Sequence, residues 1–266
     1  MTPRCFRYFA MRVSSHHLKI ISQAMIALTL FIMASSNNEA LGQPRAAKET
    51  KDIAAIRLSQ THYFMGTQQV TIAPNAVRID NTAQLGYVLV ATAPNWKVTI
   101  FRPDDKTYFT EQLKIFQDTG MMSDMIIGRR ERNFTDRPFR TTTMMLTGFK
   151  VERITSLRST LKVLKLDGIA APQIEKILYA AYKLPTNNCI PVAFTATHNN
   201  ADFITGMQNK GKLEVLLETQ KIEKVKVASN YFLPPANLKK AASIRYVVVG
   251  HANLKKSEAA EIMIEK

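Results

Sequence analysis

The densest group of residues able to do chemistry is Arg129-Arg130-x-Arg132, inside the stretch GRRERNFTDRPFR (128–140), where five Arg stand against Glu131 and Asp136. Guanidinium forks grip phosphate or carboxylate through paired N–H donors. Just before them lies a soft apolar cluster, Met121, Met122, Met125, Ile126 and Ile127. An apolar loop with an Arg-rich edge suits docking on an anionic membrane face. Arg129, Arg130 and Arg132 are therefore the expected anionic-group contacts, set against the plainer alternative of a solvated basic loop.

Other chemistry is thin. His62, His198 and His251 are isolated and far apart, and no HxH, HExxH or CxxC spacing occurs, so no metal site is expected. The polar run 197–202 (THNNAD) reads as a turn, where such residues belong. Gly66, Gly86 and Gly128 match no phosphate-cradling pattern, and there is no GxSxG nucleophile elbow. Cys189 sits among apolar neighbours and reads as a packed thiol. No catalytic residue and no cofactor are expected, although an envelope hydrolase whose groups meet only in the fold stays open as a third possibility.

The N-terminal segment gives an expected address. Arg4, Arg7, Arg12 and Lys19 precede an uncharged run over 20–34, and Ala40-Leu41-Gly42 supplies small residues at the positions a signal peptidase reads. That is the order of a secretory signal peptide. The apolar run is also short for a bilayer core, which needs about 20 residues. Cleavage after Gly42 is expected, the alternative being a retained N-terminal anchor. Export points to the periplasm or cell envelope. Losing residues 1–42 removes four Lys/Arg and one Glu from a net charge of +15, leaving +12. Such a balance favours anionic partners such as phospholipid headgroups, lipopolysaccharide phosphates or cell-wall polymers, or else simply solubilises the surface. Export argues against nucleic acid.

Residues 43–52 read as a flexible mature N-terminus and 53–266 as one β-rich domain. Short β-leaning segments over 67–73, 77–80, 86–93, 96–102 and 106–110 are separated by turn signals such as Pro74-Asn75, Pro94-Asn95 and Pro103-Asp104-Asp105. Five strands so closely spaced make an antiparallel meander, because parallel neighbours need long crossovers. Trp96, Val98 and Ile100 fall on one face of the fourth segment and Lys97, Thr99 and Phe101 on the other. Residues 111–140 read as irregular. Segments 141–147, 150–155 and 161–166 follow as strands. Pro172 opens a helix whose Ile174, Ile177, Leu178 and Ala181 form one apolar stripe. Strands over 190–197, 212–219, 222–228 and 243–249 complete the reading.

Three local features together resemble the periplasmic lipoprotein-carrier superfamily of half-open barrels (LolA- and LppX-like proteins). They are the hairpin 96–108 (WKVTIFRPDDKTY), the helix leading through Leu184-Pro185 to Ile190-Pro191-Val192, and the run 227–235 (VASNYFLPP) followed by Lys239-Lys240. The resemblance implies a mainly β fold of the α+β kind, a curved antiparallel sheet or half-open barrel with one or more helices packed on its concave side. It also implies an apolar or amphiphilic ligand, a lipid or lipoprotein acyl chain, held without catalysis in the sheet's hollow. Trp96, Val98, Ile100, Tyr108, Met121, Met122 and Met125 are then the candidate lining, with a plain packed core as the alternative for each. A reading from another class remains beside it: an envelope scaffold with a filled core, whose basic face meets an anionic polymer or protein.

Overall fold

The computed structural model describes residues 52–83, 85–121, 130–198 and 211–250. The first meander comprises β1 (Asp52–His62), β2 (Gly66–Ala73), β3 (Ala76–Asn81), β4 (Tyr87–Thr92), β5 (Val98–Arg102) and β6 (Thr107–Glu111). Helix α1 (Leu113–Thr119) follows. The second meander runs through β7 (Arg140–Leu146), β8 (Phe149–Thr155), β9 (Ser159–Leu164), β10 (Ile190–His198) and β11 (Lys212–Ala228), with helix α2 (Pro172–Tyr182) between β9 and β10. A 3-10 turn (Ser229–Phe232), the two-residue β12 (Lys239–Lys240) and helix α3 (Ile244–Val249) close the described chain.

The two meanders are joined by one antiparallel pairing, β1 with β11, giving the order β12-β6-β5-β4-β3-β2-β1-β11-β10-β9-β8-β7. All pairings are antiparallel except β12 with β6, and the sheet curves without closing into a barrel. β-Bulges interrupt the register between Ser59 and Gln60 against β11, between Phe194 and Thr195, and between Pro191 and Ala193. Bulges bend a strand and sharpen its twist. Their grouping on β1, β10 and β11 puts the bend at the seam between the meanders.

Strand alternation sorts the side chains onto two faces. Ile56 and Leu58 of β1, Val70 and Ile72 of β2, Val77 and Ile79 of β3, Leu89 of β4, and Val98 and Ile100 of β5 share one core with Ile174, Ile177, Leu178 and Ala181 of α2. The amphipathic stripe of α2 thus fills the concave side. The convex face carries two smaller clusters, one of Ala55, Ala73, Ala76, Val227 and Phe232, the other of Val88, Val90 and Phe101. Residues 229–240 cover this face as a strap. Tyr231 is clasped there by Arg78, whose guanidinium stands 4.4 Å from the ring centroid and donates to the Tyr231 carbonyl at 2.8 Å. The Tyr231 hydroxyl donates in turn to Asp80 at 3.0 Å.

Four elements differ from the sequence expectation. β1 went unread because its inward positions include Gln60 and His62, which break the apolar alternation. Residues 212–228 form one seventeen-residue strand with a bulge near Gln220, since no Gly or Pro breaks the run. Residues 113–119 are helical within a stretch read as irregular. The β-branched run 243–249 is a short helix, not a strand. There Arg102 overrides propensity: its buried guanidinium donates to the carbonyls of Val247 and Val248, both at 2.8 Å, and to that of Leu85. These are the carbonyls a helix end leaves without intrahelical donors. Gly86 (φ +75°) packs so closely that a Cβ would lie 2.2 Å from the Arg102 Nη1. The expectations for residues 1–42 and 43–51 lie outside the described residues, and β1 starts at Asp52, the last position of the stretch read as flexible.

Arg102→Met should lower unfolding stability by about 3 kcal/mol, because buried carbonyls lose charged donors. The exposed Lys97→Met should stay within about 0.5 kcal/mol. Urea unfolding followed by tryptophan fluorescence checks both.

Candidate functional site

Most residues expected to contact ligand are placed in the core. Trp96, Val98, Ile100 and Met121 are all less than a tenth exposed and pack in the central cluster. Trp96 precedes β5, in a turn with φ +49°. Tyr108 pairs with Phe101 across β5–β6 and packs on the convex side, so it shares no cavity with Trp96, Val98 and Ile100. Met122, Met125 and Arg129 lie outside the described residues.

Arg132 ties residues 130–132 to the first turn of α2, and Arg130 ties them to its last turn. Glu175 of that helix is fully buried, and Arg132 meets its carboxylate with two donors, Nε to Oε1 at 2.8 Å and Nη2 to Oε2. The Thr186 hydroxyl donates to the same carboxylate. The Arg130 amide donates to the Lys183 carbonyl at 3.1 Å, the Tyr179 hydroxyl donates to the Arg130 carbonyl at 3.1 Å, and the Arg130 guanidinium stands 5.3 Å from the Phe194 ring centroid. The paired grip expected for a phosphate is occupied in Arg132 by an internal carboxylate. The reason is energetic: an ionised carboxylate with no exposure needs a paired cation.

A polar hub lies at the C-terminal end of α2. The Tyr182 hydroxyl donates to Gln60 Oε1 at 2.9 Å, while Gln60 Nε2 donates to the Pro191 carbonyl and the Thr219 hydroxyl, both at 2.9 Å. One amide thereby ties β1 to α2, β10 and β11. His62 Nδ1 accepts from the amides of Phe64 and Met65 at 3.3 and 3.2 Å, which leaves Nε2–H to donate to the Tyr182 carbonyl at 3.3 Å. Burial lowers the His62 pKa from 6.5 to about 4, opposed in part by the Tyr182 carbonyl. Burial likewise raises the Tyr182 hydroxyl. A neutral histidine and a neutral tyrosine enclosed in the core act as fasteners.

The concave face opens at the opposite end of the sheet, beside the start of α2. There the beginning of β1, the end of β2, the last third of β11 and the β9–α2 loop surround a cavity of about 430 Å³. Ala54, Ile56, Ile72, Pro74 and Ile169 form its apolar lining. The loop is fastened in place by the Ala171 amide donating to the Pro74 carbonyl at 2.9 Å. In the β1–β11 register Ile56 faces Lys224 and Ala54 faces Lys226. Directly opposed residues share a face, so both lysines border the apolar floor, and both are exposed. A second cavity of about 570 Å³ lies towards β7, β8 and β9, lined by Phe149, Leu164 and Ile169 with Lys150, Lys165, Glu152 and Asp167. Lys224 and Ile169 border both cavities. Lys165 pairs with Glu152 at 2.8 Å.

This cleft sets an apolar floor beside positive charge. None of Trp96, Val98, Ile100, Tyr108 or Met121 lines it. Sequence reasoning missed it because β1 was unread and the β1–β11 register was therefore hidden. The usable signal was the Lys224-x-Lys226 alternation with Val225 and Val227, which marks two unlike faces. Among the described residues, no three His, Cys, Asp or Glu side chains come together as a metal site. Burial pushes the Cys189 thiol up, keeping it protonated.

No family model and no curated protein matches the chain. Two solved structures are similar at a TM-score of 0.35: an uncharacterized conserved protein from Thermus thermophilus and PNGF-II. The first is 8% identical, with 73% of this chain and 91% of that one covered; the second is 11% identical, with 74% and 32% covered. The chain spans about a third of the length of PNGF-II. Likenesses this low bear on neither fold nor activity. Among the described residues no helix is long and apolar enough to cross a membrane.

Two outcomes follow from these contacts. Arg132→Ala strands the Glu175 carboxylate and should cost about 3 kcal/mol, with Glu175→Gln in the same chain recovering part of it; denaturant midpoints of the single and double variants check this. For His62 the folded pKa lies below the unfolded one, so its contribution is complete above pH 6.5 and is lost as pH falls towards 4. The loss should reach about 3 kcal/mol. Unfolding free energies measured from pH 7 to 4 should show that slope, and His62→Gln should flatten it.

Proposed function

We propose that the protein is an exported carrier or binding protein of the cell envelope that takes an apolar or amphiphilic ligand, such as a lipid or acyl chain, into the cleft between β1, β11 and the β9–α2 loop. The observation that supports it is the pair of adjoining cavities, each within the roughly 300–1,000 Å³ of typical ligand pockets, with apolar floors and lysines at the rim. The likeness to lipoprotein carriers read from residues 96–108, 184–192 and 227–235 points the same way, and so does the signal-peptide order of residues 1–42. The driving force is the transfer of methylenes from water, at about 0.8 kcal/mol each. About ten buried methylenes would contribute roughly 8 kcal/mol before ordering costs. Chemistry on the ligand is not needed for this role.

The burial of Trp96, Val98, Ile100 and Met121 favours the second reading at those positions, a scaffold with a filled core and a basic face towards an anionic polymer or protein. The two readings part at the cleft.

Native mass spectrometry with lipid extraction, on protein purified without detergent from its host envelope, separates them. A stoichiometric lipid is expected, lost in Ala54→Trp, which fills the first cavity from an exposed position. A clean apo mass that persists after incubation with host lipid extract would overturn the carrier reading and leave the scaffold.

A further inference from the structure

We propose that the cleft selects a two-chained anionic lipid, with one acyl chain in each cavity and the headgroup phosphate at Lys224. This rests on the carrier reading and adds the ligand's class. The geometry that points to it is the junction. Each cavity is by itself the size of a ligand pocket, and Lys224 borders both (Ile169 is the other shared residue). A ligand that branches where they meet fills both, and its polar group then sits beside the lysine there. A diacyl lipid has this shape, its two chains diverging from one phosphate-bearing backbone.

Charge follows the same plan. The cavity of Ala54, Ile56 and Ile72 has no acidic residue in its lining, only Lys224 and Lys226. The second adds Lys150 and Lys165 against Glu152 and Asp167, and the Lys165–Glu152 pair neutralises one of each. Among the described residues no carboxylate pairs with Lys150, Lys224 or Lys226. Lysine suits the place: its aliphatic stem lies along apolar surface while the ammonium stays in water at the rim. A phosphate held there remains partly hydrated, so binding does not require burying an ion.

The test uses the purified protein with four probes: vesicles of phosphatidylglycerol, vesicles of phosphatidylcholine, lysophosphatidylglycerol, and inorganic phosphate, read by native mass spectrometry and by competition with a fluorescent fatty acid. Phosphatidylglycerol should bind one per chain, about tenfold or more tighter than either phosphatidylcholine or the single-chain lipid. Inorganic phosphate should neither bind nor compete. Lys224→Ala should bring phosphatidylglycerol down to the phosphatidylcholine level and leave phosphatidylcholine unchanged. Equal binding of the single-chain lipid, or two copies of it per chain, overturns the two-chain assignment while leaving the carrier reading standing. Equal binding of the two diacyl lipids, or an indifferent Lys224→Ala, overturns the headgroup assignment. Competition by inorganic phosphate alone would mark an anion site and no lipid. Failure of every lipid to bind overturns the carrier reading itself.

Discussion

The fold depends on one pairing, β1 against β11. Each meander on its own is a run of short hairpins with one face left apolar, and only this seam makes a single sheet of them. The seam is also where the sheet bends, since the bulges on β1, β10 and β11 gather there. A bend in so wide a sheet needs something to bend around. Helix α2 supplies it, burying eight of its eleven residues and fastening Tyr182 to Gln60 beside the bulge. Gln60 satisfies its amide on three different elements. Because a buried amide left unpaired is costly, this side chain sets register and helix position together, which an apolar residue at 60 would not.

The cleft follows from the same seam. α2 begins at Pro172 beside the cleft and is pinned at both ends, in its first turn by Glu175–Arg132 and at its last residue by the Tyr182 contacts with Gln60 and His62. The ends of β1 and β11 that border the cleft carry Ala54, Ile56, Lys224 and Lys226. A fully packed interior would need large side chains at these positions. The chain places alanine and lysine there instead, and the loop bearing Ile169 is pinned across the gap by the Ala171–Pro74 hydrogen bond. The opening is thus flanked by ordered backbone on both sides. A ligand of the proposed kind would meet a largely preformed site, with little ordering entropy to offset.

The architecture was legible wherever hydrophobic period and turn chemistry agreed. β2 to β6 stand out because Pro-Asn and Pro-Asp-Asp turns bracket alternating runs. α2 stands out because Pro172 starts a clean 3.6-residue stripe. Three of the failures, at β1, at 243–249 and at Arg132, share one physical origin, polar side chains satisfied by partners distant in sequence. Gln60 and His62 made β1 look unlike a strand, yet each has a partner more than a hundred positions away, on β10 and α2 respectively. Arg102 turned a β-branched run into a helix through carbonyls about 145 residues further on. Arg132 looked like an anion contact because its carboxylate, Glu175, lies on a helix 43 residues downstream. The site suffered more than the fold, since the cleft is defined by a register, and a register between strands so far apart leaves no trace in either one alone.

The chain's basic character divides along the same line. Arg78, Arg102, Arg130 and Arg132 each engage a carboxylate, a carbonyl or an aromatic ring within the fold. Planar forks with several donors make such ties, and their weak hydration lowers the penalty of burial. Lys150, Lys224 and Lys226 stay exposed, as compact, strongly hydrated cations prefer. Arg78, Arg102 and Arg132 therefore stabilise the fold while adding little to its outward field, because a carboxylate beside each compensates its charge. The field around the cleft comes from lysines. A surface cation beside an apolar floor gives modest affinity for an anion alone, since salt and water screen it. Joined to the burial of an acyl chain, as proposed, the same cation would discriminate between headgroups with little effect on stability. On the proposed reading fold and selectivity rest on different residues, since the lysines at the cleft take no part in the arginine ties that hold the sheet around α2.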